Sequence, residues 1–232
     1  CKFCATGAIG HKRNMTADEI TDQILYFYLA GHQINSVSFM GMGEPFANPN
    51  LFDALKILTN PSLFGLSQRR ITISTIGMIP GIKRLTRDFP QVNLAFSLHS
   101  PFEKQRSELM PINQTYPLHK VMDALDAHVA NTKRRLFLAY IMLGGINDSA
   151  EHAKALAHLI LSRGALSYLY HVDLIPYNAT DKTARKFTAS NHEAIKNFSD
   201  ILHSNRISVA IRMQFGSDIG AGCGQLYADE RD

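Results

Sequence analysis

ITISTIGMIPGIKRLTRDFPQVNLAFSL, residues 71–98, contains a strand, a helix and a second strand in succession. Ile71 to Ser74 and Val92 to Leu98 are short apolar runs rich in β-branched and aromatic residues, and Pro80 to Asp88 between them has helical spacing. Two buried strands joined through a helix pair in parallel, with a right-handed crossover. The stretch therefore predicts one β-α-β unit of a parallel sheet.

The same alternation of strand and helix extends along the rest of the chain. Further strands are predicted at Ile34 to Met40, Leu136 to Leu143, Leu169 to Ile175 and Ile207 to Ile211. Further helices are predicted at Thr16 to Ala30, Asn50 to Thr59, Pro117 to Asn131, Ser149 to Ser162 and Asn191 to Ser204. Continuous apolar strands separated by helices indicate an α/β fold, a partial (β/α)6 barrel of the TIM-like type, with a doubly wound open sheet as the alternative.

Length and composition favour one soluble domain. The chain has 232 residues and three cysteines, with no apolar signal segment and no run long enough to cross a bilayer. So few cysteines make a secreted disulfide framework improbable, and we expect a reducing, cytoplasmic location without a membrane. The formal net charge of +4 comes from clustered Lys and Arg, which fit either an RNA partner or simple solubility.

Polar side chains recur where the predicted strands end. The candidate positions are Gly41-Met42-Gly43-Glu44-Pro45, Ser74-Thr75, Ser97-Leu98-His99 and Tyr177-Asn178. In a parallel sheet the carboxyl ends of the strands lie at one edge, so these groups are expected to converge on a small-molecule pocket. Taken singly, each hydroxyl could be a satisfied turn residue, Glu44 a solvated carboxylate and His99 a packed structural histidine.

The cysteines divide into a pair and a single residue. Cys1 and Cys4 form a C-x-x-C, which fits half of a zinc site, a redox dithiol or two ligands of an iron–sulfur cluster. Spacing alone leaves all three open, and we expect a loop through Arg13 after the pair. Cys223 lies between Gly222 and Gly224, which favours a reactive thiol over a packed one.

Five motifs together resemble one family. They are Cys1-Lys2-Phe3-Cys4-Ala5-Thr6-Gly7, Gly41-Met42-Gly43-Glu44, Ser97-Leu98-His99, Met110-Pro111-Ile112-Asn113 and Cys223-Gly224-Gln225-Leu226. In this order they resemble the radical S-adenosylmethionine (SAM) rRNA adenine methyltransferases of the Cfr/RlmN family. The resemblance implies that residues 1–232 are an N-terminally truncated radical SAM core domain. Its first strand, first cluster cysteine, resolving cysteine and an accessory domain are expected upstream of residue 1.

The resemblance also implies the cofactors and their ligands. Cys1 and Cys4 correspond to the second and third cysteines of a [4Fe-4S] cluster, whose open iron is chelated by SAM. The positions expected to contact SAM are Gly43, Glu44, Ser74, Ser97, Leu98, His99 and Asn178. Cys223 corresponds to a methyl carrier, which takes a methyl group from one SAM before a radical from a second SAM removes a hydrogen from it.

Substrate and partners follow from the same resemblance. The family methylates an adenosine carbon of 23S rRNA, and one branch also acts on tRNA. Asp22 to Phe27, Ile73 to Gly77 and Gln214 to Gly216 resemble the C8-methylating Cfr branch, which confers antibiotic resistance, whereas Pro45 and Pro176 resemble the C2-methylating RlmN branch. We expect a monomer that receives electrons from a donor such as flavodoxin or ferredoxin.

Two other hypotheses compete with this prediction. One keeps the radical enzyme but removes methyl transfer, so that SAM serves only as a radical source. The other is a zinc-stabilised RNA-binding module in which the basic clusters bind RNA and the barrel has no catalytic role.

Overall fold

A computed structural model describes residues 1–178 and 186–213. The strands are β1 (Val37–Phe39), β2 (Ile71–Thr75), β3 (Asn93–Ser97), β4 (Leu136–Met142), β5 (Tyr170–Pro176) and β6 (Ser208–Ile211). The helices are α1 (Ala5–Ile9), α2 (Ala17–Leu29), α3 (Leu51–Thr59), α4 (Ile79–Asp88), α5 (Glu103–Leu109), α6 (Leu118–Thr132), α7 (Ala150–Leu161) and α8 (His192–Ser204).

The six strands of the described residues form one parallel sheet whose spatial order is the order of the sequence, β1 to β6. A doubly wound sheet reverses direction at a switch point, and the described strands contain no such reversal. Every crossover therefore progresses the same way around the sheet. The prediction of a partial (β/α)6 barrel is confirmed, and the open-sheet alternative is wrong.

Side chains alternate between the two faces of this sheet. On β2, Ile71 and Ile73 are fully buried against the helices, whereas Thr72 and Ser74 are only half-buried. Because side chains alternate along a strand, the partly exposed set faces the inside of the barrel. The main apolar core thus lies between the sheet and its helices, and the inner face of β2 carries partly exposed polar side chains.

Two helices differ from the predictions. The loop expected after Cys4 is wrong, because α1 begins at Ala5, and the Gly7 N–H donates to the Cys4 sulfur at 3.4 Å. α5 was not predicted, because only Arg106 and Leu109 of its seven residues are buried, too few for an apolar period. The other boundaries agree within a few residues, and Thr16 and Glu19 form a capping box at the start of α2.

Within residues 1–178 and 186–213, no helix has the length and apolarity needed to cross a bilayer. Cys223 lies outside the described residues.

Candidate functional site

Phe3 anchors the C-x-x-C segment to the carboxyl ends of the strands. Its ring is buried and meets the ring of His99 edge-on, with 5.1 Å between centroids. The Lys2 N–H donates to the Leu109 carbonyl at 2.9 Å, and the Tyr177 hydroxyl donates to the Phe3 carbonyl at 3.4 Å. The segment is thus held from three sides at the barrel mouth, beside predicted site residues of β3 and β5.

The two cysteines at the barrel mouth are free thiols. Cys1 is exposed and Cys4 is partly buried. Across the residues that the structure describes, no group of three or more His, Cys, Asp or Glu side chains could hold a metal ion. The described chain therefore supplies two accessible sulfur ligands at x-x spacing and no complete metal site of its own.

The loop after β1 brings a carboxylate to the mouth. Gly41 and Gly43 have φ of 109° and 86°, which only glycine adopts without strain, and a side chain there would have no atom within 4 Å. The glycines therefore turn the chain in open space beside the barrel mouth. This leaves their backbone approachable by a ligand.

Glu44 is fixed by hydrogen bonds to the end of β2. Its carboxylate accepts from the Thr75 hydroxyl at 2.7 Å, the Ile76 N–H at 2.9 Å and the Phe46 N–H at 3.3 Å. Burial raises the pKa of Glu44, and the three hydrogen bonds oppose that shift. A carboxylate has about four acceptor sites, so one remains for an incoming donor.

Ser74 and Ser97 lie on the inner face of the sheet, half-buried and near the carboxyl ends of β2 and β3. In the register, Ser74 is paired with Ala95, and Ser97 with Ala139. Both hydroxyls therefore have a small apolar side chain as their neighbour on the next strand.

Leu98 has a different environment from the other predicted contacts. Its side chain is fully buried in the main core, its N–H donates to the Ala139 carbonyl at 3.0 Å and its carbonyl accepts from Arg106 at 3.1 Å. Its polar groups are therefore already paired. Leu98 fixes the backbone on which the neighbouring Ser97 and His99 stand.

His99 is a buried imidazole with a defined tautomer. It has a left-handed φ of 58°, and its Nδ1 accepts from the Ile141 N–H at 3.0 Å. Burial is the main cause that lowers the pKa of His99, to about 3, so the ring is neutral near pH 7. A neutral ring that accepts at Nδ1 carries its proton on Nε2, which makes His99 a fixed donor.

Asn147, which the sequence did not single out, holds His99 in this conformation. It is fully buried, and its amide donates to the carbonyls of His99 at 2.8 Å and Ile141 at 2.7 Å. Its side-chain oxygen accepts from the Leu143 N–H at 2.8 Å. One side chain thus ties the end of β3 to the end of β4.

Asn178 follows β5 and is partly buried beside Tyr177, which is packed against the C-x-x-C segment. It is the last described residue before residues 179–185. Phe187 is buried, and its ring centroid lies 6.4 Å from that of Phe3. Apolar packing therefore extends to the β5 side of the mouth.

Charged side chains line the barrel interior below the mouth. Asp173 of β5 is 7% exposed and pairs with Arg212, which follows β6, at 2.8 Å. His171 lies 3.6 Å from the same carboxylate, and burial is the main cause that lowers its pKa. The interior is polar enough for a charged ligand.

The predicted site residues in the described ranges therefore meet at one end of the barrel, and Cys223 is left outside the description. Polar groups converge there from the ends of β1, β2, β3 and β5, next to two free thiols. Such a constellation suits a small polar ligand held beside a metal cluster.

The sequence of the chain is similar to those of known enzymes. The Radical SAM superfamily pattern matches residues 1–160. The chain is 72% identical over 230 residues to "Ribosomal RNA large subunit methyltransferase Cfr" of Lachnoclostridium phytofermentans, covering 99% of this chain and 67% of that protein. It is 56% identical over 229 residues to the protein of the same name from Staphylococcus warneri, covering 99% and 66%. The chain thus spans about two thirds of the length of these relatives.

Solved structures agree with this relationship. The crystal structure of a radical SAM methyltransferase from Sphaerobacter thermophilus matches with a TM-score of 0.89 and 40% identity, over 97% of this chain and 65% of that one. A domain of pyruvate-formate lyase-activating enzyme from Bacteroides vulgatus matches with a TM-score of 0.56 at 17% identity, over 77% of this chain and 99% of that one. The second match shows a shared fold alone.

Proposed function

Because the chain belongs to the radical SAM superfamily and, within it, to the Cfr ribosomal RNA large subunit methyltransferases, we propose that it methylates C8 of an adenosine in 23S rRNA. The observation that carries the proposal is the 72% identity over 99% of the chain to a Cfr protein. Residues 1–232 would form its radical SAM core domain.

The barrel mouth fits the cofactors that such an enzyme needs. Two free thiols, one exposed and one partly buried, are available as cluster ligands, and the described residues offer no complete metal site that competes with them. When bound, a [4Fe-4S] cluster and SAM supply one-electron chemistry and a methyl group. Cys1 and Cys4 would hold the cluster.

Three polar groups at the mouth are suited to hold SAM. Glu44 has one acceptor site left for the ammonium of the methionyl part. His99 presents an Nε2–H whose position is fixed by the hydrogen bond at Nδ1. Gly43 allows close approach of the backbone. Ser74, Ser97 and Asn178 would complete the polar lining.

Cys223 is the proposed methyl carrier. Its thiolate would take a methyl group from SAM by displacement, so that a new C–S bond forms on Cys223 as the sulfonium C–S bond breaks and S-adenosylhomocysteine leaves. Carriage on a sulfur is chemically useful because an aromatic C–H of adenine is too weak a nucleophile for direct displacement. The support for this role is the Cys223-Gly224-Gln225-Leu226 motif.

The proposal also covers the carbon that is methylated, the cellular location and the electron donor. The C8 assignment is supported by the Cfr names of the relatives, and antibiotic resistance would follow from it. C2 methylation with additional action on tRNA is the competing outcome. We further propose a cytoplasmic monomer that uses a flavodoxin or ferredoxin as electron donor.

The test is methyl transfer by the complete protein, reconstituted anaerobically with iron and sulfide. With labelled SAM and a 23S rRNA fragment, we expect label in the RNA, and mass spectrometry of the nucleosides separates C8 from C2. Cys223→Ala is expected to abolish transfer while retaining iron, and Cys1→Ala to lose iron as well. Transfer at the normal rate by Cys223→Ala would refute the carrier role.

Two further measurements separate the competing hypotheses. Zinc in place of iron and sulfide would favour an RNA-binding module. SAM cleavage without any S-methylcysteine on Cys223 would favour a radical enzyme that transfers no methyl group.

A further inference from the structure

Arg106 is a fully buried guanidinium whose hydrogen-bond acceptors are all uncharged. It lies on α5, and its Nε donates to the Leu98 carbonyl at 3.1 Å. Its Nη2 donates to the carbonyls of Ile76 at 2.9 Å and Ser97 at 3.2 Å, and its Nη1 donates to the Asn113 side-chain oxygen. One planar group therefore joins the ends of two neighbouring strands.

Stability alone does not account for a charge in this place. Burial lowers the pKa of Arg106 to about 10, so it remains a cation near pH 7. Replacing a buried ionic group by an apolar one of similar volume is often neutral or stabilising. The guanidinium instead fixes the relative positions of the groups it binds, because its N–H donors have a rigid fork arrangement that a flexible side chain lacks.

The acceptors of Arg106 connect to the groups proposed to hold SAM. The carbonyl of Ile76 accepts from Arg106, while its N–H donates to Glu44 at 2.9 Å. On the other side, the carbonyls of Ser97 and Leu98 directly precede His99 along the chain. Hydrogen bonds thus link Arg106 to Glu44 through one residue, Ile76, and to the backbone just before His99 through Leu98.

Asn113 fixes Arg106 in turn. Its amide group donates to the Glu103 carboxylate at 2.8 Å and to the Ser107 hydroxyl at 2.8 Å, so its oxygen must point to the guanidinium. The same Glu103 oxygen accepts from the Leu118 N–H at 3.0 Å. The position of the guanidinium is therefore set by α5, the Asn113 turn and the start of α6.

We propose that Arg106 is a positioning residue that sets the separation between Glu44 and His99, and so the affinity for SAM. This inference rests on the proposed function, since SAM is the ligand whose binding it controls. Arg106 donates hydrogen bonds to backbone carbonyls and to the Asn113 side chain, and its effect on SAM is assigned to these bonds.

The test compares Arg106→Met, Arg106→Lys and a control, Arg163→Met, in the complete protein. Arg163 pairs with Asp126 at 3.1 Å and precedes β5, at the end of the barrel away from the mouth. We expect Arg106→Met to raise the KM for SAM about tenfold, equivalent to ~1.4 kcal/mol, with a smaller change in kcat. Arg106→Lys should give an intermediate KM, because lysine keeps the charge but loses the fork, and Arg163→Met should leave the KM unchanged.

A second readout does not depend on SAM turnover. Hydrogen exchange of the Ile76 and Ile141 amides and the NMR signal of the His99 ring report the strand ends directly. We expect faster exchange and a changed His99 signal in Arg106→Met, and neither in Arg163→Met. These signals test Arg106 even if the unmodified protein proves not to bind SAM, an outcome that would overturn the proposed function instead.

The results that overturn the inference are specific. One is a wild-type KM together with wild-type exchange in folded Arg106→Met. Should that variant not fold, a wild-type KM and wild-type exchange in Arg106→Lys have the same meaning. An equal rise in KM for Arg163→Met would show a general loss of stability and no positioning.

Discussion

Gly81→Ala tests how rigidly the Glu44 loop is packed against the barrel. Gly81 lies in the first turn of α4, and a Cβ there would be 2.2 Å from Cγ and 2.4 Å from Cβ of Phe46. Carbon atoms pack at about 3.5–4.0 Å, so Phe46 would have to retreat by more than ~1 Å. The Phe46 N–H donates to Glu44, and the displacement therefore reaches the proposed SAM site.

The expected effect on stability is small because two contributions oppose each other. Overpacking costs about 1–3 kcal/mol, whereas alanine in place of glycine in a helix gains about 1 kcal/mol. The free energy of unfolding should therefore fall by about 0–2 kcal/mol. The effect on function should be larger, since a misplacement of about 1 Å in a site can reduce activity ~100-fold.

The assay combines urea unfolding with SAM turnover. A matched control is the double variant Phe46→Leu/Gly81→Ala, in which the smaller leucine makes room for the new methyl group. We expect the double variant to recover most of the lost turnover. If Gly81→Ala turned over SAM normally and unfolded at a higher urea concentration, Phe46 would be free to move and the rigid coupling to Glu44 would be refuted.

Three further predictions concern other parts of the molecule. Phe3→Ala should remove the anchor of the C-x-x-C segment, lower the free energy of unfolding by about 3–5 kcal/mol and reduce iron bound per chain; unchanged iron and stability would contradict the anchor role. Asn147→Ala leaves several buried backbone groups unpaired, so the free energy of unfolding, measured with urea, should fall by about 3 kcal/mol or more. A fall of less than ~1 kcal/mol would contradict this prediction. Burial lowers the pKa of His128 to about 4, below its unfolded value of about 6.5, so its contribution to stability is present above pH 6.5 and is lost as pH falls toward 4. Between pH 7 and pH 5 this loss amounts to about 2 kcal/mol, so the free energy of unfolding of His128→Gln should decrease by that much less than that of the unmodified protein. An equal decrease in the two proteins would contradict this prediction.

The fold could be predicted from the sequence because its signals are local. Each of the six strands is a short apolar run, and each of the long helices has apolar residues at helical spacing. The capping box of Thr16 and Glu19 lies within four residues, so the sequence shows it in the same way. α1 and α5 escaped prediction because each is short and buries few side chains.

The candidate site was predictable in place but not in detail. Parallel strand ends must share an edge, and this located Glu44, Ser97 and His99 together. Several of the hydrogen bonds that fix them join residues 31 or more positions apart, as in Glu44 with Thr75 or His99 with Ile141. No local pattern marks such pairs.

Hydrogen bonds and aromatic contacts both hold the mouth of the barrel together. From β1 to β4, directional hydrogen bonds through Glu44, Arg106 and Asn147 join each strand end to the next. On the β5 side, the described contacts include the packed rings of Tyr177, Phe187 and Phe3 and the hydrogen bond from the Tyr177 hydroxyl to the Phe3 carbonyl. Each of the three side chains Glu44, Arg106 and Asn147 joins two strand ends at once, so a substitution at any of them would disturb two strands together. Evolutionary change is therefore expected to be tightly constrained at these three positions.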